Sequence, residues 1–318
     1  NTNMGHRFDI HVNLGAFPSS KRGKQARFIS PKEMNEFFLS QEITHALVLY
    51  NNDEYELLRE LGRLTETKIY GVQNIMGRED NPTNIKKPFE LHTGREYVYG
   101  VKIASNRGWW TDGVEKWAGC DYNDPYVQKI FKQLPKNSIV SAHTQGTANT
   151  KNIATPLWFA TMSTKYPHLK FIMNHGGDYG PALQVSRPSD KQRHKDNYVQ
   201  LLNRHTNHKA IVLQGIELAE GLHNVFVDSS CYSVIKGLYY RDYTQWCVGS
   251  DFPFAENFGV DYKEQRFLFE KANTIPDDQA VWFFESDVDE LFEVKSKRTR
   301  DAIVKYNDIC LEIRNNSK

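Results

Sequence analysis

The chain has 318 residues and a mass of 36.9 kDa, a length that fits one large α/β barrel or two ordinary domains. It is 39% hydrophobic and 25% charged, which excludes a disordered or collagen-like chain. Forty Lys and Arg residues against 39 Asp and Glu residues give a formal net charge of +1. Because no overall field draws such a protein to nucleic acid or anionic lipid, we expect neither partner.

The sequence contains neither a membrane span nor a signal peptide by pattern, and this bears on the cellular compartment we expect. No stretch approaches the roughly 20 uninterrupted apolar residues of a membrane span, and the first eight residues lack the apolar centre of a signal peptide. The four cysteines, at 120, 231, 247 and 310, are scattered, which indicates neither a disulfide framework nor a cysteine zinc site. We expect a cytoplasmic protein with reduced thiols, and the sequence leaves export open.

Apolar runs of strand length alternate with helix-like segments along the chain, a pattern typical of parallel βαβ units. The predicted strands are Phe8–Asn13, His45–Tyr50, Lys68–Ile75, 97–104, 138–142, 170–174, Val225–Asp228 and 246–250. Helices are predicted at Pro31–Gln41, 53–65, 125–134 and 156–166, with further helical segments, among them 277–292, after the eighth strand. Eight such strands favour a (β/α)8 TIM barrel with extra C-terminal helices, and a doubly wound open sheet is the alternative.

The domain organisation follows from what interrupts this alternation. A long polar segment at 178–198 follows the sixth strand, and we expect it to overhang one end of the barrel as a lid. No internal repeat, linker or low-complexity tract is present in the sequence. We therefore predict that residues 1–318 form a single domain.

Predicted strands repeatedly end in His, Asn or Asp: His11 and Asn13 on the first, His143 on the fifth, His175 on the sixth and Asp251 on the eighth. In an α/β barrel the C-terminal ends of all strands meet at one mouth, where catalytic groups lie. Side chains alternate along a strand, so the first two residues point the same way. Neutral imidazoles together with a carboxylate are preferred ligands of a catalytic divalent ion, and the pattern predicts a metal site.

The segments that carry these residues resemble the amidohydrolase superfamily. The matching pieces are FDIHVN at Phe8–Asn13, SAH at 141–143, FIMNHGG at 171–177 and VGSDFP at 248–253. The most similar branch contains aminocarboxymuconate semialdehyde decarboxylase and related single-metal enzymes. The resemblance implies a distorted barrel with one divalent metal at its mouth, and hydrolysis or non-oxidative decarboxylation as its chemistry.

Roles follow from the resemblance position by position. His11, His143 and Asp251 match metal ligands, and His175 matches an acid/base or substrate-polarising histidine. Asp251 is also expected to handle protons, which makes Asp251 and His175 the predicted catalytic residues.

The pattern departs at Asn13, where the family has a second histidine. An amide oxygen is a harder and weaker donor than an imidazole nitrogen, so Asn13 as a ligand would weaken Zn²⁺ binding and favour Mn²⁺ or Mg²⁺. We expect one divalent ion, Zn²⁺ first, with Mn²⁺ or Mg²⁺ as alternatives.

Three residues are predicted to bind substrate. Lys102 on the fourth strand and Arg107 just beyond it offer cations for a carboxylate. Trp109 is placed in a long loop after that strand, where barrel loops line the pocket. Pairing of Lys102 with a buried acid and packing of Trp109 in the core are the alternatives.

These residues predict a metal-dependent hydrolase of the amidohydrolase superfamily acting on a small, anionic ester, lactone or amide. A non-oxidative decarboxylase is the second hypothesis. The third is a barrel that has lost catalysis, with Asn13 as the sign of decay, and now serves as a binding protein. A homodimer is compatible with the extra terminal helices.

Overall fold

The computed structural model describes residues 5–17, 27–75, 90–103, 109–111, 114–117, 125–144, 156–177, 221–230, 246–253, 261–263, 266 and 277–291. The strands are β1 (Phe8–Asn13), β2 (Gly15–Phe17), β3 (Arg27–Ile29), β4 (His45–Tyr50), β5 (Lys68–Ile75), β6 (Val98–Ile103), β7 (Trp109–Thr111), β8 (Val114–Trp117), β9 (Ile139–Ala142), β10 (Lys170–Met173), β11 (Val225–Asp228) and β12 (Trp246–Cys247). The α-helices are α1 (Pro31–Gln41), α2 (Tyr55–Leu64), α3 (Pro125–Gln133), α4 (Pro156–Lys165) and α5 (Asp277–Glu285), with 3-10 turns at Asn52–Glu54 and Asn174–Gly177.

Eight of these strands form one parallel sheet in the order β1-β4-β5-β6-β9-β10-β11-β12. The sheet closes on itself, because β1 also bonds to the segment that follows β12. The N–H of Ile10 donates to the carbonyl of Val248 at 2.9 Å, and that of Asp251 to the carbonyl of His11 at 2.8 Å. The closed parallel sheet with its helices confirms the predicted barrel rather than the open sheet.

Most predicted boundaries hold to within one or two residues. The exceptions are the helix predicted at 277–292, which ends at Glu285, and the eighth strand, which ends at Cys247 instead of 250. The predicted loop around Trp109 contains the antiparallel hairpin β7–β8, whose Trp, Thr and Val residues favour extended backbone. The predicted lid at 178–198 lies outside the described residues.

The helices begin and end at recognisable signals. Ser30 caps α1 by accepting the N–H of Glu33 at 3.1 Å, and Pro31 occupies the first helical position. The helix stops at Glu42, whose φ of 56° is left-handed. Within the described ranges, none of the helices combines the length and apolar character that crossing a membrane requires.

The N-terminal end of the barrel is filled with apolar side chains. Phe8, Leu47, Tyr70 and Ile172 belong to one buried cluster inside the sheet, which Phe283 and Phe284 of α5 join. Phe284 of α5 lies 4.6 Å from Phe8, measured between ring centroids. This packed end leaves the polar residues to gather at the opposite, C-terminal end.

Candidate metal centre

A β-bulge in β1 aims His11 into the barrel. Asp9 pairs with Ala46 and Val12 with Val48, so Ile10 and His11 together oppose the single residue Leu47. Ile10 joins the interior cluster that contains Leu47, and the side chain of His11 is 3% exposed. Bulges of this kind re-aim side chains beside functional sites, and here the bulge places His11 and Asn13 at the mouth.

Consecutive strands add a layer of inward-facing polar residues above the apolar cluster. The strand register pairs Asn74 with Lys102, and Lys102 with Ser141. The buried side chain of Asn174 follows β10 and accepts hydrogen bonds from Lys102 and from Ser141, the latter at 3.1 Å. Asn174 donates in turn to Asp228 at 3.0 Å, so Lys102, Ser141, Asn174 and Asp228 form one connected network.

His11 is engaged through both ring nitrogens. Its Nδ1 lies 2.5 Å from Oδ2 of Asp228, and its Nε2 lies 3.2 Å from Oδ1 of Asp251. All three side chains are buried. The short Nδ1 contact requires a proton on Nδ1, because a carboxylate oxygen only accepts. In the neutral imidazole Nε2 is then a bare lone pair that faces a second acceptor oxygen.

Two acceptors held at this distance need a cation between them, either a second proton on the ring or a metal ion. Ligands of a tetrahedral ion at bond lengths of about 2.0–2.2 Å lie about 3.4 Å apart. The 3.2 Å between His11 Nε2 and Asp251 Oδ1 is close to that separation. The donor set therefore fits a divalent ion, with Asp228 orienting His11 as carboxylates commonly orient metal-bound histidines.

Two further histidines, His143 and His175, lie in contact with each other near His11. Nε2 of His175 is 3.1 Å from Nδ1 of His143, and the ring centroids of His175 and His11 are 5.3 Å apart. Burial lowers the pKa of both His143 and His175 well below the usual histidine value, and the charge of Lys102 adds to the shift. Neutral imidazoles are the form that binds metal.

Asn13 is turned toward Asp251. Its amide nitrogen donates to Oδ1 of Asp251 at 3.1 Å and to the carbonyl of Phe252 at 3.0 Å. With both amide protons used by acceptors, only the amide oxygen is left to meet a metal. In the structure Asn13 therefore holds Asp251, and its predicted role as a ligand stays a prediction.

Among the described residues, the buried group whose candidate ligand atoms all lie within 4.8 Å of one another is His11, His175 and Asp228, and the predicted ligands His143 and Asp251 are not part of it. This group can hold a metal ion. Asp228 is the poorest ligand of the three, since Nδ1 of His11 and Oδ2 of Asp228 are hydrogen-bonded and lie closer than two ligands of one ion do. We assign it an orienting role.

The backbone at two predicted catalytic residues is strained. His175 has a φ of 52° and Asp251 a φ of 54°, both in the left-handed region that side chains other than glycine rarely adopt. Such conformations cost on the order of 1–3 kcal/mol and cluster at functional sites. The strain sits at the two positions where strands β10 and β12 deliver their polar residues to the mouth.

Of the three predicted substrate-binding residues, the structure describes the side chain of Lys102 alone. Lys102 is 5% exposed, lies in the polar layer and donates to Asn174. It does not occupy an open mouth position in the described structure. Arg107 lies outside the described residues, and Trp109 belongs to β7, with its side chain outside the description.

Sequence reasoning missed three members of the site: Asn174, Asp228 and Ser230. Asp228 ends the seventh predicted strand, so the strand-end rule that selected the histidines would have found it too. Ser230, two residues further on, carries no comparable signal because buried serines usually satisfy backbone groups.

No protein-family model and no curated protein sequence matches the chain. The chain is similar in structure to a probable 2-pyrone-4,6-dicarboxylic acid hydrolase from Acinetobacter baumannii, crystallised with citric acid, at 12% identity, a TM-score of 0.47 and coverage of 87% of this chain and 98% of the other. It is also similar to the 5-carboxyvanillate decarboxylase LigW from Sphingomonas paucimobilis, at 10% identity, a TM-score of 0.42 and coverage of 84% and 97%. At these values the likeness carries no assignment of activity to this chain.

Proposed function

We propose that this protein is a metal-dependent hydrolase of the amidohydrolase type that acts on a small anionic ester, lactone or amide. The observation that carries the proposal is the position of His11. Its Nδ1 is held by Asp228, while its Nε2 faces Oδ1 of Asp251 at 3.2 Å. Among the ions that imidazole and carboxylate bind, Zn²⁺ is the one we expect, with Mn²⁺ or Mg²⁺ as alternatives.

The ligands in this proposal are His11, His143 and Asp251, with Asn13 beside them. A bound divalent ion would supply Lewis-acid activation of water, or of a substrate carbonyl or carboxylate. His11 is kept in position by Asp228, and Asp251 by the amide of Asn13. Both anchors are buried, which restricts the two ligand side chains to one arrangement.

Proton transfer falls to His175 and Asp251 in the proposed hydrolysis. Each lies in contact with a proposed ligand: Nε2 of His175 is 3.1 Å from Nδ1 of His143, and Asp251 lies beside His11. A base at this position accepts a proton from the attacking water and returns it to the leaving group. Their closeness to the ligands supports this role.

Decarboxylation is the second candidate. In this reaction His175 would protonate the carbon that loses CO₂, and the substrate carboxylate would be held at the divalent ion. The position of His175, whose Nε2 is 3.1 Å from Nδ1 of the proposed ligand His143, supports this role. Arg107 and Trp109 remain predicted substrate contacts, whereas Lys102 is held by Asn174.

The experiment starts from chelator-treated protein reloaded with Zn²⁺ or Mn²⁺. It is incubated with carboxylated esters, lactones and amides, and CO₂ release from aromatic and enoic acids is measured in parallel. Hydrolysis that depends on added metal is the expected result. Release of CO₂ without hydrolysis would select the decarboxylase, and failure of metal to bind would leave the binding-protein hypothesis.

Asp251→Asn tests the ligand assignment directly. The amide keeps the volume of the side chain but removes its charge, so we expect Zn²⁺ affinity to fall by more than about 100-fold, beyond the usual effect of an orienting residue. Asp261→Asn, at an exposed aspartate, is the matched control and should bind metal as the wild type does. Titration calorimetry measures both, with thermal unfolding as the check on folding; equal affinities in the two variants would refute the assignment.

A further inference from the structure

Ser230 lies at the centre of the polar network, after β11. Its Oγ is 2.8 Å from Oδ2 of Asp228, 2.9 Å from Nδ1 of His175 and 3.1 Å from Nδ1 of His11. The residue is 0% exposed, so water does not compete for these contacts. One hydroxyl thus touches the two histidines that face each other across the site.

The contacts in this cluster favour one arrangement of the protons. A serine hydroxyl carries one proton and two lone pairs. The proton of Ser230 goes to Asp228, since the carboxylate oxygen only accepts. We infer that Ser230 Oγ then accepts from His175, which places the proton of that imidazole on Nδ1; the backbone of Ser230 also bonds to His175. His11 likewise carries its proton on Nδ1, because it donates to Asp228 at 2.5 Å.

Further contacts hold Asp228 in place. Its Oδ1 accepts the backbone N–H of Ser230 at 2.7 Å, and its Oδ2 also accepts from Asn174 at 3.0 Å. Gly249 leaves the space that the carboxylate occupies, because a Cβ there would lie 2.2 Å from Oδ1 of Asp228 and 3.0 Å from Cβ of His11. The side chains of Asn174 and Ser230, and the absence of a side chain at Gly249, thus fix the position of the Asp228 carboxylate.

We propose that Asp228 and Ser230 form a clamp that sets one tautomer for His11 and His175 together, with the proton on Nδ1 in both rings. Both rings then turn an unprotonated Nε2 toward the mouth, where that of His11 faces Asp251 and that of His175 accepts from Nδ1 of His143. Ser230 is a positioning residue in this scheme. The use of the bare nitrogens for metal and proton transfer rests on the proposed function, whereas the tautomers do not.

Nitrogen NMR of the metal-free protein labelled with ¹⁵N-histidine tests the clamp without any activity assay. Long-range correlations between ring nitrogens and ring protons separate the two tautomers, and His→Gln variants assign the signals. In the wild type we expect the proton on Nδ1 in both His11 and His175. In Ser230→Ala, His175 should lose this exclusive state, while His11 keeps it through Asp228. Ser230→Thr, which retains the hydroxyl, should restore the wild-type pattern.

Ser229→Ala is the matched control, because Ser229 is an equally buried neighbour whose hydroxyl accepts the N–H of Gly249. Its spectrum should match that of the wild type at both histidines. A wild-type His175 with its proton on Nε2, or an unchanged His175 in Ser230→Ala, would overturn the clamp. The wild-type spectrum alone decides the first point even if a variant fails to fold.

Zinc affinity gives the second readout. We expect Ser230→Ala to bind Zn²⁺ about 10–100-fold more weakly than Ser229→Ala does, the range that orienting partners of metal ligands span. If the tautomers are as stated but wild-type protein binds no Zn²⁺, the proposed function fails and the clamp stands. If Zn²⁺ binds but His175 carries its proton on Nε2, the clamp fails and the metal site stands.

Discussion

The two ring nitrogens of His11 have different surroundings and therefore different roles. Its two nitrogens face two different carboxylates, Asp228 at 2.5 Å and Asp251 at 3.2 Å. The first carboxylate is saturated with donors and orients the ring, while the second lies where a cation is needed. The hydrogen-bond partners of the two carboxylates thus distinguish Asp228, which orients the ring, from Asp251, the proposed ligand.

Asn13 allows a test at the same scale. Its side chain reaches Oδ1 of Asp251, the oxygen that faces His11, so an imidazole at position 13 would lie beside the proposed ion. We expect Asn13→His to raise Zn²⁺ affinity about 10-fold, which corresponds to about 1.4 kcal/mol of binding free energy. Calorimetric titration of both proteins measures it. Unchanged or weaker binding would mean that residue 13 only holds Asp251.

The sequence predicted the strand-end residues but not their contacts. His11 and Asn13 were expected to point the same way by simple alternation. They do, but the bulge at Ile10 and His11 is what turns Asp9 away from the mouth. No residue pattern marks that bulge. Asp228 could have been predicted as the last residue of the seventh strand. Ser230 could not, because its importance lies in which atoms it contacts, and the closed barrel brings it within reach of His11 and His175.

At the scale of elements, α5 closes the N-terminal end of the barrel through a buried lysine. Lys170, the first residue of β10, is 1% exposed and its Nζ donates to the carbonyl of Phe284 at 2.7 Å. This carbonyl lies in the last turn of the helix, where a cation interacts well with the backbone dipoles. Burial lowers the pKa of Lys170 from 10.5 to about 8.

This pKa predicts a pH dependence of stability with a definite sign. Between about pH 8 and 10.5 the unfolded state binds the proton of Lys170 and the folded state does not, so the free energy of unfolding rises with pH. The rise is on the order of 3 kcal/mol for a shift of this size. We expect urea unfolding of Lys170→Met to lack that rise. Exposed Lys165→Met is the control, and parallel profiles for wild type and Lys170→Met would contradict the prediction.

The predicted helices and strands agree best with the structure where the local sequence pattern is strong. Helix α2 follows from the spacing of its leucines, of which Leu58 and Leu61 are buried. The hairpin β7–β8 was missed because Trp109 was interpreted as a loop residue, although Trp and Thr are good strand formers. The eighth strand was predicted too long, and the contacts that its following segment makes with β1 are not contained in a local pattern.

For the whole molecule, alternation of strands and helices was enough to predict a parallel α/β fold. The choice of a barrel depended on where polar residues fall, because only a closed sheet brings the first and eighth strands together. The barrel closes where the N–H of Asp251 donates to the carbonyl of His11. A single domain, a homodimer and a cytoplasmic location stay predictions.

The central claim is that one divalent ion binds where the first and eighth strands meet. Anomalous diffraction from crystals grown with Zn²⁺ locates such an ion directly. We predict one strong peak at about 2.0–2.2 Å from both Nε2 of His11 and Oδ1 of Asp251, absent from crystals of Asp251→Asn. A peak elsewhere, or none at full Zn²⁺ saturation, would contradict it.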